Sequence, residues 1–149
     1  MNKNVFNFTK HSETVDKTIK QNFSISYMSN AKWKKVFKNL DAIDQEEPFL
    51  QVIWKFIDNE YEHRHQLPFV SSLEDKYIDD YFWFGPLYYK EIEYIMFPKL
   101  HVPYEREQYP SLHKEQNIEK VKEQLNNIGE FKIKETEVGF KLLGHERKR

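Results

Sequence analysis

His63-Arg64-His65 is the stretch richest in groups that could do chemistry, because Glu60 and Glu62 stand just before it. Side chains two apart on a strand share a face, so His63 and His65 could offer two imidazoles to one metal ion. A zinc or iron site needs further ligands, and none stands at a motif spacing. Arg64 between the imidazoles is also a poor neighbour for a dication. The stretch reads as a polar loop, with no metal and no cofactor expected, and a metal hydrolase on His63 and His65 is the third-ranked alternative. His11, His101, His113 and His145 are isolated in the sequence.

Paired carboxylates are the second source of chemistry: Glu46-Glu47, Asp79-Asp80, and Glu91 with Glu93. General acid–base catalysis needs two carboxylates facing each other across a cleft, in environments that split their pKa values. Neighbours on a strand point to opposite faces, and Glu91 and Glu93 alternate with core residues, so both are expected to face solvent. The absence of cysteine removes thiolate nucleophiles, disulfides and thiolate zinc sites. No H-E-x-x-H, G-x-S-x-G or P-loop occurs. No catalytic residue is assigned, and a non-enzymatic protein is the expectation.

Hydrophobic spacing outlines the elements that must carry these groups. Val15, Ile19 and Phe23 predict a helix capped by Ser12, and the polar residues 1–11 before it predict a loose tail. Ser29 or Asn30 can cap a second helix in which Trp33, Val36, Phe37 and Leu40 line one face and Lys32, Lys34, Lys35 and Lys38 the other. A loop over 41–48 leads to a strand with Leu50, Val52, Trp54 and Phe56 on one side. Residues 58–72 are polar and without period. Two strands are predicted over 77–84 and 91–97, linked through Gly85-Pro86-Leu87, with Ile92, Tyr94 and Met96 sharing a face of the second. Pro98, Pro103 and Pro110 mark an extended connection. Asn117 starts a third helix with Ile118, Val121, Leu125 and Ile128 inward and Gly129 at its end. Phe131, Ile133, Val138, Phe140 and Leu142 then alternate with lysines as a hairpin turning at Thr136-Glu137. This order predicts one α+β domain over residues 1–149: a mainly antiparallel sheet of about five strands with three helices packed on it.

The formal net charge is −1, from 23 basic and 24 acidic side chains in 149 residues, but the charge is unevenly placed. Residues 1–40 hold 8 basic and 2 acidic groups, whereas residues 41–80 hold 3 and 11. Such an acidic middle favours a basic partner and disfavours nucleic acid. The aromatic run Tyr81-Phe82-Trp83-Phe84-Gly85-Pro86-Leu87-Tyr88-Tyr89 follows it directly, and rings beside charges are the make-up of binding hot spots. The expected partner-binding residues are Asp58, Glu60, Glu62, Asp75, Asp79 and Asp80, with Trp83 and Tyr88 as anchors. That aromatic run is also the longest apolar stretch, far short of the ~20 residues that span a bilayer, and the first ten residues lack an apolar h-region. A soluble, cytoplasmic protein without a membrane partner is the expectation.

Trp33, Trp54 and above all Gly85-Pro86-Leu87-Tyr88-Tyr89-Lys90-Glu91-Ile92-Glu93-Tyr94-Ile95 resemble the shared core of a family of small bacterial proteins. That core is an amphipathic helix with Trp, a Trp-containing strand, and a Gly-Pro…Tyr-Lys-Glu-Ile-Glu strand. The family resembles immunity proteins, cytosolic antidotes that bind and block a cognate toxin delivered between competing bacteria. The likeness covers residues 29–98. It implies a non-catalytic protein that neutralises a cytosol-acting toxin, and it brings no catalytic residues. The alternative is a small nucleic-acid-binding regulator using Lys32, Lys34, Lys35 and Lys38 with Arg147-Lys148-Arg149, whose binding would fall steeply with salt.

Overall fold

Asn7 has the short polar side chain that a helix start requires, and its Oδ1 accepts the Lys10 N–H at 2.9 Å. Helix α1 (Phe8–Asn22) therefore begins before the expected Ser12 cap, and the expected loose tail is helical from Phe8 onward. The computed structural model describes residues 7–46, 50–82, 85–102 and 113–149, with backbone alone at 45–46 and 80–82. Residues 1–6 of the predicted tail lie outside these, as do Glu47, Pro48, Trp83, Phe84, Pro103 and Pro110. Phe23 leaves the helical conformation and opens β1 (Phe23–Ser26), yet stays buried with Val15 and Ile57 in a small second cluster.

Helix α2 (Asn30–Glu46) starts where Ser29 Oγ accepts the Lys32 N–H at 3.1 Å. It runs through most of the loop expected over 41–48 because Ile43 continues the apolar spacing after Leu40 and is buried. Asp44 then closes the turn by accepting the Leu50 N–H at 3.1 Å. Strands β2 (Gln51–Phe56) and β3 (Glu62–Gln66) form an antiparallel hairpin in which Trp54 faces His63 and Val52 faces His65. β3 lies in the segment expected to be irregular. It is an edge strand whose inward residues are histidines, so hydropathy does not reveal it.

After a 3-10 turn at Val70–Ser72, β4 (Tyr77–Phe82) pairs with β5 (Gly85–Tyr88), so Gly85-Pro86-Leu87 is itself a strand rather than a link. Gly85, at φ 99°, takes the left-handed conformation that glycine allows. A 3-10 turn at Tyr89–Glu91 leads into β6 (Ile92–Pro98). The ribbon β7 (Leu100–His101) with β8 (Lys114–Glu115) precedes α3 (Ile118–Ile128), whose cap is the expected Asn117, accepting the Lys120 N–H at 3.2 Å. The chain then forms β9 (Ile133–Glu135), β10 (Gly139–Leu143) and β11 (His145–Arg147), the last pairing back to β1.

The fold is α+β, as expected: among the described residues there are three α-helices and a five-stranded antiparallel sheet in the order β3-β2-β6-β10-β9. Val52, Trp54, Phe56, Ile95, Phe97, Phe140 and Leu142 share one core with Trp33, Val36, Phe37 and Leu40 of α2 and Val121 and Leu125 of α3. Helix α1 lies apart from that core, with Phe8 against Tyr77 and Tyr88 and Val15 against Phe23 and Ile57. A Cβ at Gly139 or Gly144 would strike the backbone carbonyl of Phe97 or Ile92, so the close passage of β10 and its end beside β6 requires glycine. Along β2, Lys55 faces Tyr94 but Phe56 faces Ile92, which leaves Glu93 as the extra residue of a bulge.

Candidate partner-binding site

The connection from β2 to β3 carries Asp58, Glu60 and Tyr61 and leads into Glu62, the first residue of β3; all four are exposed, Tyr61 to 67%. It is held from within. Asn59 Oδ1 accepts the Tyr61 N–H at 2.9 Å, Asn59 Nδ2 lies 3.1 Å from His63 Nε2, and Ile57 N–H donates to Glu91 O at 2.9 Å. Glu62 is anchored by the Tyr94 hydroxyl, which donates to its Oε2 at 2.5 Å, while Lys141 Nζ sits 4.2 Å over the Tyr94 ring. Burial, and then the Glu62 carboxylate, push the Tyr94 phenol above its ordinary range.

The remaining expected carboxylates lie around the β4–β5 hairpin. Asp75 is exposed and pairs with Lys34 at 3.1 Å, and Asp79 is half-buried on β4. Asp80 is on β4 with only its backbone described, and Trp83 lies outside the described residues. Tyr88, expected as an anchor, is only 7% exposed. Its hydroxyl donates to Phe8 O at 3.1 Å, and its ring stacks on His11 at 5.7 Å. The first turn of α1, in the stretch expected to be a loose tail, covers it, which leaves little ring for a partner. Tyr61 was missed, although a lone tyrosine in a polar run after Asp58-Asn59 has no core period to bury it.

Glu91 and Glu93, expected to face solvent, are buried. Glu91 Oε2 accepts the Tyr88 N–H at 2.8 Å and Oε1 lies 2.9 Å from His11 Nε2. Burial pushes Glu91 up, against the pull of the Tyr88 N–H and of His11. Glu93 sits in an ionic cluster with Lys55 and Arg147. The two glutamates were misread because Glu91 belongs to a 3-10 turn and Glu93 to a bulge, where strand alternation does not apply.

Pairing of β1 with β11 brings Ser26 Oγ within 2.7 Å of His145 Nδ1, and His145 Nε2 within 2.7 Å of Lys90 O. A carbonyl only accepts, so Nε2 carries the proton and Nδ1 accepts from the Ser26 hydroxyl. The chain ends are thereby clipped together beside the Phe23 ring, 5.5 Å from the imidazole. Burial pushes His145 below its ordinary value. An unfolded chain takes up the proton that the folded chain refuses, so stability is full above about pH 6.5 and falls as pH drops through it. His145→Gln is expected to flatten that part of the profile in urea unfolding between about pH 7 and pH 5. An unchanged slope would remove the assignment.

His63 and His65 do share a face of β3, but the Gln66 N–H donates to His65 Nδ1 at 2.8 Å and His63 is engaged with Asn59. Among the described residues, no group of three or more histidine, aspartate or glutamate side chains is placed to hold a metal ion. Among the same residues, no helix is long and apolar enough to cross a membrane. Two cavities stand out. One of about 700 Å³ has apolar walls from Met96, Pro98, Leu100, Val102, Ile118 and Val138. The other, about 410 Å³, lies between His11, Asp58, Asn59 and Glu91. No protein-family model, curated protein or solved structure matches this chain.

Proposed function

We propose that this protein is a non-catalytic immunity protein that binds a cognate bacterial toxin through its acidic β2–β3 connection and neutralises it in the cytoplasm. The observation that carries the reading is the exposed Tyr61 ring set among Asp58, Glu60 and Glu62 on a turn held by Asn59. A rigid aromatic ring flanked by carboxylates supplies buried area at low entropy cost, and the carboxylates steer a basic surface toward it. Among the expected residues, Asp58, Glu60 and Glu62 supply this site, with Tyr61 in place of Tyr88 as the described anchor, while Asp75 pairs with Lys34 away from it.

The decisive assay is co-expression with the toxin encoded beside the gene, read as rescue of growth. Tyr61→Ala is expected to cost about 2 kcal/mol or more of binding, mostly through faster dissociation. Its folding stability should stay within about 0.5 kcal/mol of the parent, because an exposed ring contributes little to the core. Rescue and affinity unaffected by Tyr61→Ala would place the interface elsewhere.

The nucleic-acid reading has one observation in its favour: Lys34, Lys35, Lys38 and Lys76 border one shallow depression on α2. Against it, Lys34 is paired with Asp75 and Arg147 with Glu93. A low-salt gel shift separates the two readings, since phosphate binding through lysines would be strong there and vanish with added salt.

A further inference from the structure

The cavity of about 410 Å³ beside the β2–β3 connection is lined by both apolar and charged residues. Phe56, Pro86 and Leu87 supply apolar surface, Glu91 one carboxylate and Asp58 another, and no lysine or arginine lines it among the described residues. The Glu91 carboxylate spends one acceptor site on the Tyr88 N–H and one on His11, leaving acceptor capacity on both oxygens. Asp58 makes no hydrogen bond or ion pair among the described residues, and its charge adds to the burial that disfavours ionised Glu91. Two carboxylates that line one opening, with the His11 imidazole the one basic group beside them among the described residues, form a site short of positive charge. The described side chains do not converge to chelate a metal ion, and the volume suits something larger.

We propose that this cleft receives one arginine side chain of the partner, its stem on Phe56, Pro86 and Leu87 and its guanidinium between Asp58 and Glu91. A planar fork of five donors can address two carboxylates at once, which a compact ammonium cannot do with the same geometry. The apolar lining takes the methylene stem, as long cationic side chains commonly arrange themselves. The cleft adjoins Tyr61 through Asp58 and Asn59, so the arginine and the ring would be neighbouring anchors of one interface. The identity of the carrier as a toxin rests on the function proposed above; the cleft's chemistry does not.

The test titrates n-butylguanidinium, a free arginine side chain in effect, into the full chain while NMR follows the His11 and Asn59 side chains. Saturable shifts in the millimolar range are expected, with butylammonium weaker. Asp58→Asn should weaken butylguanidinium roughly tenfold, as loss of a charged hydrogen-bond acceptor does. That variant sits on an exposed turn and loses no bond within the described chain, so an unchanged melting temperature accompanies it. Unsaturable shifts, an equal response to butylammonium, or a parent-like titration of Asp58→Asn would each overturn the proposal. No toxin enters this titration, so a null result removes the cleft alone, and failed growth rescue removes the immunity reading alone.

Discussion

Trp54→Ala is expected to lower the stability of the fold by about 3–5 kcal/mol, measured as a shift in urea midpoint without a change in slope. Trp54 is fully buried at the centre of β2. Its ring stacks on Phe37 of α2 at 5.8 Å and lies 6.1 Å from Phe56, while Phe37 also stacks on Trp33 at 5.6 Å. The rings form a continuous file from the helix layer into the sheet, so removing one leaves a cavity that its neighbours cannot close by small shifts. The Trp54 indole N–H also donates to Gln66 O at 3.2 Å, tying β3 to the sheet through a side chain. Loss of that donor leaves an edge strand with one fewer fastening. Val138→Ala is the matched control: that side chain is largely exposed, and its truncation should stay within about 0.5 kcal/mol of the parent. A Trp54→Ala cost as small as the control would mean that the aromatic file is not the core.

Helices α2 and α3 were legible because each combines a polar cap with an apolar stripe of helical period, and the Ser29 and Asn117 caps stand where the sequence places them. Two-residue alternation identified β2 and the β9–β10 hairpin in the same way. What escaped had physical causes. The edge strand β3 turns His63 and His65 inward, so its buried side is not hydrophobic in composition. The β1–β11 pairing joins segments from opposite ends of the chain, and no local pattern encodes such a partner. Val138, read as inward with Phe140 and Leu142, is exposed because it precedes β10 and escapes that strand's alternation.

The candidate site was legible as chemistry before it was legible as geometry. Asp58, Glu60 and Glu62 were singled out by charge alone, and they stand on one exposed connection and the first residue of the strand after it. The aromatic partner was sought in the hydrophobic run after the acidic stretch, where Tyr88 turned out to lie under α1. Aromatic density marks core as readily as interface. An exposed ring is signalled by the opposite pattern, a tyrosine isolated among turn-forming and charged residues, as at Tyr61.

Glu93→Ala is the second large effect, expected at about 3–5 kcal/mol, because it breaks a buried ionic cluster from one side. The bulge in β6 turns Glu93 toward β2 and the chain end. There Lys55 Nζ donates to its Oε1 at 3.1 Å and Arg147 Nη2 donates to the same oxygen at 2.8 Å. Lys55 is only 8% exposed, and without Glu93 its ammonium keeps, among the described residues, the Phe56 carbonyl at 2.8 Å. That stranded charge, rather than the net worth of the pair, is what makes the substitution costly. Replacing both partners by apolar residues of similar volume, as in Lys55→Met with Glu93→Leu, is therefore expected to recover most of the loss. Arg147 gives the cluster a second consequence. It reaches Glu93 from β11 and lies 4.7 Å over the Phe23 ring of β1, so it fastens the two-stranded ribbon of the chain ends to the main sheet. In Glu93→Ala the amides of the β1–β11 ribbon should lose hydrogen-exchange protection more than those of β2 and β6, as local opening precedes global unfolding. A double variant as unstable as the single one, or protection lost evenly across the molecule, would show that the cluster does not act as this fastening.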